Sequence, residues 1–465
     1  MKIFNTLSNQ KEELELLNKQ NIKLFVCGPT VYDYIHIGNA RTYLIFDAFA
    51  RYLRAVGYKV YYLQNITDID DKIISRAKES GMNVKQIARK FEKEYLLDEK
   101  SLGINSVTKH IRATAHIKEI VKQIQTLIEK NYAYKIENDG YYFDITKFAD
   151  YGKLSKRTVL QAEDSVSRID ESVGKKNRGD FALWKFYKDG EPFWKTALGN
   201  GRPGWHIEDT AITEKFFGPQ YDIHGAAIDL IFPHHEAELA QQEAASEKKP
   251  FVKIWMHSGF LNSKGNKMSK SNGAFLTVKD FLKTNDPNIL RLISLNHHYR
   301  SPIEYSDELV FQTKEQWSNL LQFLAKLNIK KSNSKSSLSN KPINQIREDI
   351  LFTKNDFNES LQNDFNTPKA IASLHLLINK YQAKVFTINR EDGKNLAKFI
   401  TNHLKLLGFK TKLPEIPSKV IKLGVRRELF RGNKQFAKSD LLRKELDGLG
   451  YTVDDTPFGP LLWPK

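Results

Sequence analysis

Cys27 is the only cysteine in 465 residues, so an intrachain disulfide is excluded and a reducing compartment fits. Methionine is nearly as scarce, with four copies. No apolar run approaches the roughly 18 residues that cross a bilayer. The opening MKIFNTLSNQKEELELL carries acidic and amide residues where a secretory leader would be apolar. These shortages predict a cytoplasmic protein without a membrane span. What the chain does hold is core material: 40% hydrophobic residues, with 28 Phe and 19 Tyr. That composition excludes a disordered chain. At about 150 residues per domain the length predicts roughly three domains.

Positive charge is in excess, at a formal +17, and its position says more than its total. Residues 1–320 hold 46 Lys and Arg against 41 Asp and Glu, whereas residues 321–465 hold 26 against 14. A basic module on a near-neutral body points to a polyanionic partner, most simply nucleic acid. A solvated lysine-rich helical surface would give the same numbers.

Ile22 to Cys27 is short, apolar and closed by Gly28-Pro29, which predicts a buried strand. Arg41 to Val56 places Ile45, Phe49, Tyr52, Leu53 and Val56 on one helical face, and Gly57 ends it. Tyr58 to Gln64 is strand-like again. Strand, helix and strand within about 45 residues form a βαβ unit and predict a parallel sheet. The pattern from Ile111 to Lys130 predicts a helix. ENDGYYFDI predicts an irregular β segment with a turn at Asp139-Gly140. Four of the six tryptophans fall between Trp184 and Trp255, in a Gly- and Pro-bearing stretch that predicts a looped, well-packed region. Beyond Ser301 the patterns become long helices. KKSNSKSSLSNKP (330–342) interrupts them and predicts a flexible loop.

Two short strings carry chemistry. HIGN, His36 to Asn39, falls between a strand and a helix, where free backbone N–H groups and the helix dipole favour a phosphate. His36 and Asn39 add donors three positions apart, and Gly38 permits close approach. By itself, a histidine at a helix start is more often a cap. NSKGNKMSKSNG, residues 262–273, brackets Lys267 and Lys270 with glycines. Two ammonium groups on such a loop can close over a triphosphate and neutralise a leaving pyrophosphate.

In this order, around a parallel sheet, the two strings resemble the signature of class I aminoacyl-tRNA synthetases. CGPTVYDYIHIGNART, QNITDIDDKI, RATAH (Arg112–His116), GRPGWHIE, DLIFPHHE, WMHSG and KMSKS follow one another as in cysteinyl-tRNA synthetases, and the resemblance spans the chain. It implies an α/β fold: a Rossmann-type parallel-sheet catalytic domain (1–111 and 205–300) with a connective insertion (112–204). A helical bundle (301–414) and a small C-terminal anticodon-binding module (415–465) follow.

The resemblance also implies zinc in the amino-acid pocket, since a pocket that measures only size separates cysteine poorly from serine. The family's ligands are two cysteines, a histidine and a glutamate. The matching positions here are Cys27, Asp209, His234 and Glu238, and Asp209 is the departure, in GRPGWHIED. Aspartate keeps the formal charge but is a harder ligand than thiolate. Two expectations stay open: zinc retained with weaker affinity, or metal lost and cysteine chosen by packing and hydrogen bonds. A second departure is Asn39, which replaces the family's histidine and predicts altered ATP affinity with activity retained.

Ligation in this family activates cysteine with ATP (as its Mg2+ complex) to cysteinyl-adenylate, then transfers it to the 3′ end of tRNA(Cys). The resemblance assigns Thr30, His36, Asn39, Lys267 and Lys270 to ATP. Gly28, Thr67, Trp205 and Asp229 fall to cysteine, with Asp229 on its ammonium. Arg431, Phe436, Asp440 and Asp455 fall to the anticodon, where hydrogen bonds read base edges and an aromatic ring stacks. Phe436 stands where tryptophan is often found. The family implies a monomer. A cysteine:small-amine ligase of the same superfamily lacks the anticodon module; the two substituted motif positions would suit a non-catalytic tRNA-binding paralogue, but intact KMSKS, Asp229 and Trp205 argue against it.

Overall fold

The computed structural model describes residues 1–157, 172–263, 266–267, 275–333 and 343–465. They form two compact units: Met1–Ser306 with Leu361–Thr367, and Asp307–Ser360 with Pro368–Lys465.

The first unit is built on a parallel five-stranded sheet. Its strands are β1 (Asn21–Val26), β2 (Lys59–Ile66), β3 (Lys109–Arg112), β4 (Tyr221–Ala227) and β5 (Val252–Ser258), and they lie in the order β5-β4-β1-β2-β3. Strands buried on both faces need near-continuous apolar runs, and LFV in β1 and IWM in β5 supply them. Helix α1 (Ile37–Ala55) covers one face through Leu44, Ile45, Phe46, Phe49 and Leu53, all fully buried. Gly225 in β4 is required by that packing: a Cβ there would sit 2.4 Å from the Phe46 ring.

Between β3 and β4 lies an antiparallel five-stranded sheet made of residues 133–136, 140–143, 181–186, 199–203 and 194–196, in that spatial order. The chain returns through α2 (Ile207–Phe217) to β4, and α3 (Glu236–Ser246) links β4 to β5. Arg41 of α1 is fully buried and donates to the carbonyls of Gly259 (2.7 Å), Phe260 (2.6 Å) and Ser301 (2.5 Å). It thereby clamps the segment that leads to the KMSKS string.

In the second unit, helices span Asp307–Asn333, Ile343–Gln362, Thr367–Gln382 and Arg390–Leu406, apart from residues 361–367, which belong to the first unit. Two more, Ser418–Gly432 and Phe436–Gly448, precede a terminal hairpin, Tyr451–Thr456 with Gly459–Pro464. Trp463 Nε1 donates to Ser318 Oγ (2.8 Å), and Trp317 stacks on Phe409.

The first helix spans Ile37–Ala55 with His36 as its cap, so HIGN is the helix start that the sequence predicts. Other expectations need correction. The pattern from Ile111 to Lys130 is a strand end and a short 3-10 turn before a helix that begins only at Ile117. The predicted turn at Asp139-Gly140 is a loop over residues 137–139, with Asn138 at φ 61° and Gly140 already in the next strand. The tryptophan-rich region holds strands and two helices, with Trp184 and Trp255 fully buried in two different sheets. Of the KKSNSKSSLSNKP segment, residues 330–333 continue a helix and the rest lies outside the described residues.

Candidate active site

Starting at β1, the chain winds outward through β2 and β3, then crosses back to β4 on the other side. At such a reversal the carboxyl ends of neighbouring strands diverge and leave a crevice. The cleft there has a volume of about 500 Å³. Cys27, Gly28, Thr30, His36, Asn39, Thr67, Trp205, Asp209, Asp229 and His234 all line it. The fold therefore gathers ten predicted positions from segments more than 200 residues apart.

Gly28 follows β1 where no side chain fits, since a Cβ would meet Asn65 O at 1.8 Å. Its N–H donates to Asn65 Oδ1 at 2.5 Å. Asn65 Nδ2 and the Thr67 hydroxyl both donate to the Glu208 carboxylate, which fixes this wall of the cleft.

HIGN forms a reciprocal cap: Asn39 N–H donates to His36 Nδ1 (3.2 Å) and His36 N–H to Asn39 Oδ1 (3.4 Å). The amide's oxygen is thus committed to the helix end, and its NH2 is the end that can serve an anionic ligand. Structural and functional readings of the motif are compatible.

The KMSKS exit is pinned beside it. Ile37 N–H donates to Leu276 O (3.0 Å) and Val278 N–H to Ile35 O (3.1 Å). Upstream, Lys267 sits in a two-residue strand opposite Asn262. Lys270 lies outside the described residues.

The cleft floor is a buried cluster of acids and imidazoles. The ligand atoms of Cys27, His234, His235 and Glu238 all lie within 4.8 Å of one another. His234 and His235 end a wide helical turn, Ile231–His235, entered through the extended Phe232, and Glu238 follows in α3. His234 Nε2 is 3.0 Å from Glu238 Oε1 and 3.1 Å from Asp209 Oδ2. Trp205 stacks on the His234 ring, centroids 4.3 Å apart. Glu238 Oε1 and Oε2 and Asp209 Oδ1 are buried without a hydrogen-bond donor.

Burial, followed by repulsion from Glu238 and Asp209, pushes the Cys27 thiol well up. Burial also raises Asp209 to about 8 and Glu238 well above the carboxylate range. The same burial holds His234 near 3 and keeps His224 and His235 neutral. Neutral imidazoles, a thiol and undonated carboxylates, all turned inward, form a donor set that fits a divalent cation of zinc's softness. A bound cation reverses the acid shifts by supplying the countercharge.

Sequence reasoning missed Asn65 and Glu208 on the wall, and His206, His224, His235 and His257 below the floor. The doubled histidine in FPHHE and the acid beside Asp209 were the available signals.

In the second unit, Arg431 and Asp455 are paired with each other, and Arg427 also binds Asp455 (2.5 Å). Phe436 opens the helix that also carries Asp440 and is 60% exposed.

Residues 13–315 match the family model described as the catalytic domain of tRNA synthetases class I (C), and residues 356–410 match the DALR domain. The chain is similar to the cysteine–tRNA ligase of Thermococcus gammatolerans: 42% identical over 479 residues, covering 100% of this chain and 99% of the relative. The cysteine–tRNA ligase of Caldicellulosiruptor saccharolyticus is 40% identical, covering 99% and 98%. Among solved structures, Mycobacterium tuberculosis methionyl-tRNA synthetase in complex with methionyl-adenylate superimposes with a TM-score of 0.63 at 16% identity, covering 87% of this chain and 94% of the other. A putative arginyl-tRNA synthetase from Campylobacter jejuni reaches 0.56 at 15% identity, covering 85% and 94%. At these identities the two structures attest the shared fold.

Proposed function

Because the chain belongs to the cysteine–tRNA ligase family of class I aminoacyl-tRNA synthetases, we propose that its cleft activates L-cysteine with ATP and passes it to tRNA(Cys). Support comes from one observation above the rest: a single cavity holds the thiol- and imidazole-bearing floor and the HIGN rim together.

Cysteine lies with its thiol toward Cys27, His234 and Glu238, its ammonium toward Asp229, and its flanks against Gly28, Thr67 and Trp205. ATP, as its Mg2+ complex, lies along Thr30 and HIGN. The amino-acid carboxylate attacks the α-phosphorus and pyrophosphate leaves. Asn39, His36 and the helix N-terminus offer N–H groups to the phosphates, while Lys267 and Lys270 neutralise the leaving charge. A terminal ribose hydroxyl of tRNA then takes the acyl group and AMP departs. No protein nucleophile is needed, because positioning and charge stabilisation carry the rate.

Cys27, His234 and Glu238 occupy three of the family's ligand positions and would hold zinc; Asp209 stands at the position of the family's second cysteine. Zinc, when bound, favours the sulfur of cysteine over the oxygen of serine. The insertion 112–204 connects the two catalytic halves. Residues 301–414 carry the bundle, and 415–465, with Arg431, Phe436, Asp440 and Asp455, read the anticodon. The enzyme works as a cytoplasmic monomer; no helix among the described residues is long and apolar enough to cross a membrane.

ATP–pyrophosphate exchange with each amino acid tests the cleft, and charging of a tRNA(Cys) transcript tests the transfer. Exchange supported as well by serine as by cysteine, or no charging, would sink the proposal.

A further inference from the structure

We infer that His235, and not Asp209, is the fourth ligand of the zinc site in this chain, which makes it a Cys27–His234–His235–Glu238 centre; the inference rests on the reading that the cleft floor binds zinc. Asp209 stands at the position matching a family thiolate, yet the four ligand atoms that gather within 4.8 Å are those of Cys27, His234, His235 and Glu238.

The contacts around His235 are those of an oriented ligand. Its Nε2 is 3.1 Å from Cys27 Sγ and 4.0 Å from Glu238 Oε1. Its other ring nitrogen, Nδ1, is 2.8 Å from His257 Nε2, and His257 Nδ1 is 2.7 Å from Thr6 Oγ1. With a cation held between Cys27, His235 and Glu238, all three must turn lone pairs toward it, and the proton order along this chain follows. His257 Nδ1–H donates to the threonine oxygen, and His235 Nδ1–H donates to His257. His235 Nε2 is then left with its lone pair aimed at the sulfur and the carboxylate. A partner on the far nitrogen that fixes tautomer and ring plane is what metal-binding histidines require. His234 is held the same way, its Nδ1 2.8 Å from His206 Nδ1.

Distances agree as well. Ligand atoms around tetrahedral zinc, with bonds of about 2.0–2.3 Å, stand about 3.3–3.6 Å apart. The Cys27–His235 and His234–Glu238 approaches, 3.1 and 3.0 Å, are a few tenths of an ångström shorter than that, and His235–Glu238 at 4.0 Å is a few tenths longer. His224 also reaches Cys27 Sγ (3.2 Å), with its Nδ1 held by Tyr221 OH (2.6 Å), but it stands outside the group of four.

Charge separates the two candidates further. Thiolate, two carboxylates and one imidazole leave zinc with a net −1, whereas thiolate, one carboxylate and two neutral imidazoles leave it neutral. Asp209 follows Glu208 in sequence and both are fully buried. A third anion packed beside that carboxylate and Glu238 is costly in a dry site. Asp209 then stays beside the group of four, its Oδ2 3.1 Å from His234 Nε2.

The test is X-ray absorption at the zinc edge of the protein loaded with one equivalent of zinc, which needs no variant. One sulfur, two imidazoles and one oxygen are expected; one imidazole with two carboxylate oxygens overturns the assignment. Chelator competition gives a second readout. Asp209→Asn is expected to retain zinc within about threefold of the parent. His235→Gln should lose at least about 100-fold, and His257→Ala, through orientation, about 10–100-fold. The reverse ranking of Asp209→Asn and His235→Gln overturns it. A parent protein that binds no zinc but still exchanges pyrophosphate in the presence of cysteine also overturns it, while leaving the ligase reading intact.

Discussion

Gly28 shows how little room the cleft leaves at the level of one side chain. Its absent Cβ is replaced by Asn65 O at 1.8 Å, so Gly28→Ala must push apart the ends of β1 and β2. Cysteine-dependent pyrophosphate exchange should fall by about 100-fold, the scale of a 1 Å misplacement near reacting atoms. Asn39 separates two tasks. Asn39→Ala removes both the acceptor for His36 N–H and the NH2 offered to phosphate. The kcat/KM for ATP should drop about tenfold, with the KM for cysteine changed less than about twofold, as one lost hydrogen bond to a charged group predicts. Equal losses for the two substrates would assign Asn39 to the helix end alone.

Packing between elements makes its own demands. Helix α1 lies so close to β4 that Gly225→Ala would place a methyl 2.4 Å from the Phe46 ring, and overpacking of this kind costs about 1–3 kcal/mol. Adding Phe46→Leu should recover part of that loss in denaturant titrations; a further loss would show that the two residues do not share the space. The helix Val84–Leu102 carries a different tension. Burial, reinforced by Glu94 and opposed by Lys279, raises Asp98 to about 7, and its Oδ2 has no donor. An acid whose folded pKa is raised favours the fold while protonated, so stability declines as pH climbs from about 4 through 7. Asp98→Asn should therefore match the parent near pH 4 and exceed it at pH 8 by about 1–2 kcal/mol after solvent screening. Thermal melts at the two pH values would show it, and an unchanged difference would count against the buried charge.

On the scale of the whole chain, the proposed function assigns cysteine activation to the first unit and anticodon recognition to the second. The excess of positive charge falls in residues 321–465, so tRNA affinity should drop at least tenfold between 50 and 200 mM salt if several phosphates are contacted. Phe436, exposed at its helix start, should lose about 1–3 kcal/mol of tRNA binding when changed to Ala if a base stacks on it. Charging assays at limiting tRNA measure this, and pyrophosphate exchange should respond far less. A Phe436→Ala enzyme with an unchanged tRNA KM would remove the anticodon role from this ring.

Local patterns were enough to specify the βαβ unit and the HIGN helix start, because apolar periodicity is a property of short strings, whereas Cys27, His234 and Glu238 were singled out only through the family resemblance. Element boundaries were less legible. Gly140 joins a strand because the three-residue loop before it bends at Asn138. Only the folded chain decided which nitrogen of which histidine faces the thiol. FPHHE presents two identical rings one position apart. Both rings turn into the same cluster because His257 anchors one and His206 the other, each through a contact of 2.8 Å with a residue outside that string. Residue type sets what a side chain is able to bind, whereas the direction of its lone pair is set by neighbours that sequence proximity does not reveal.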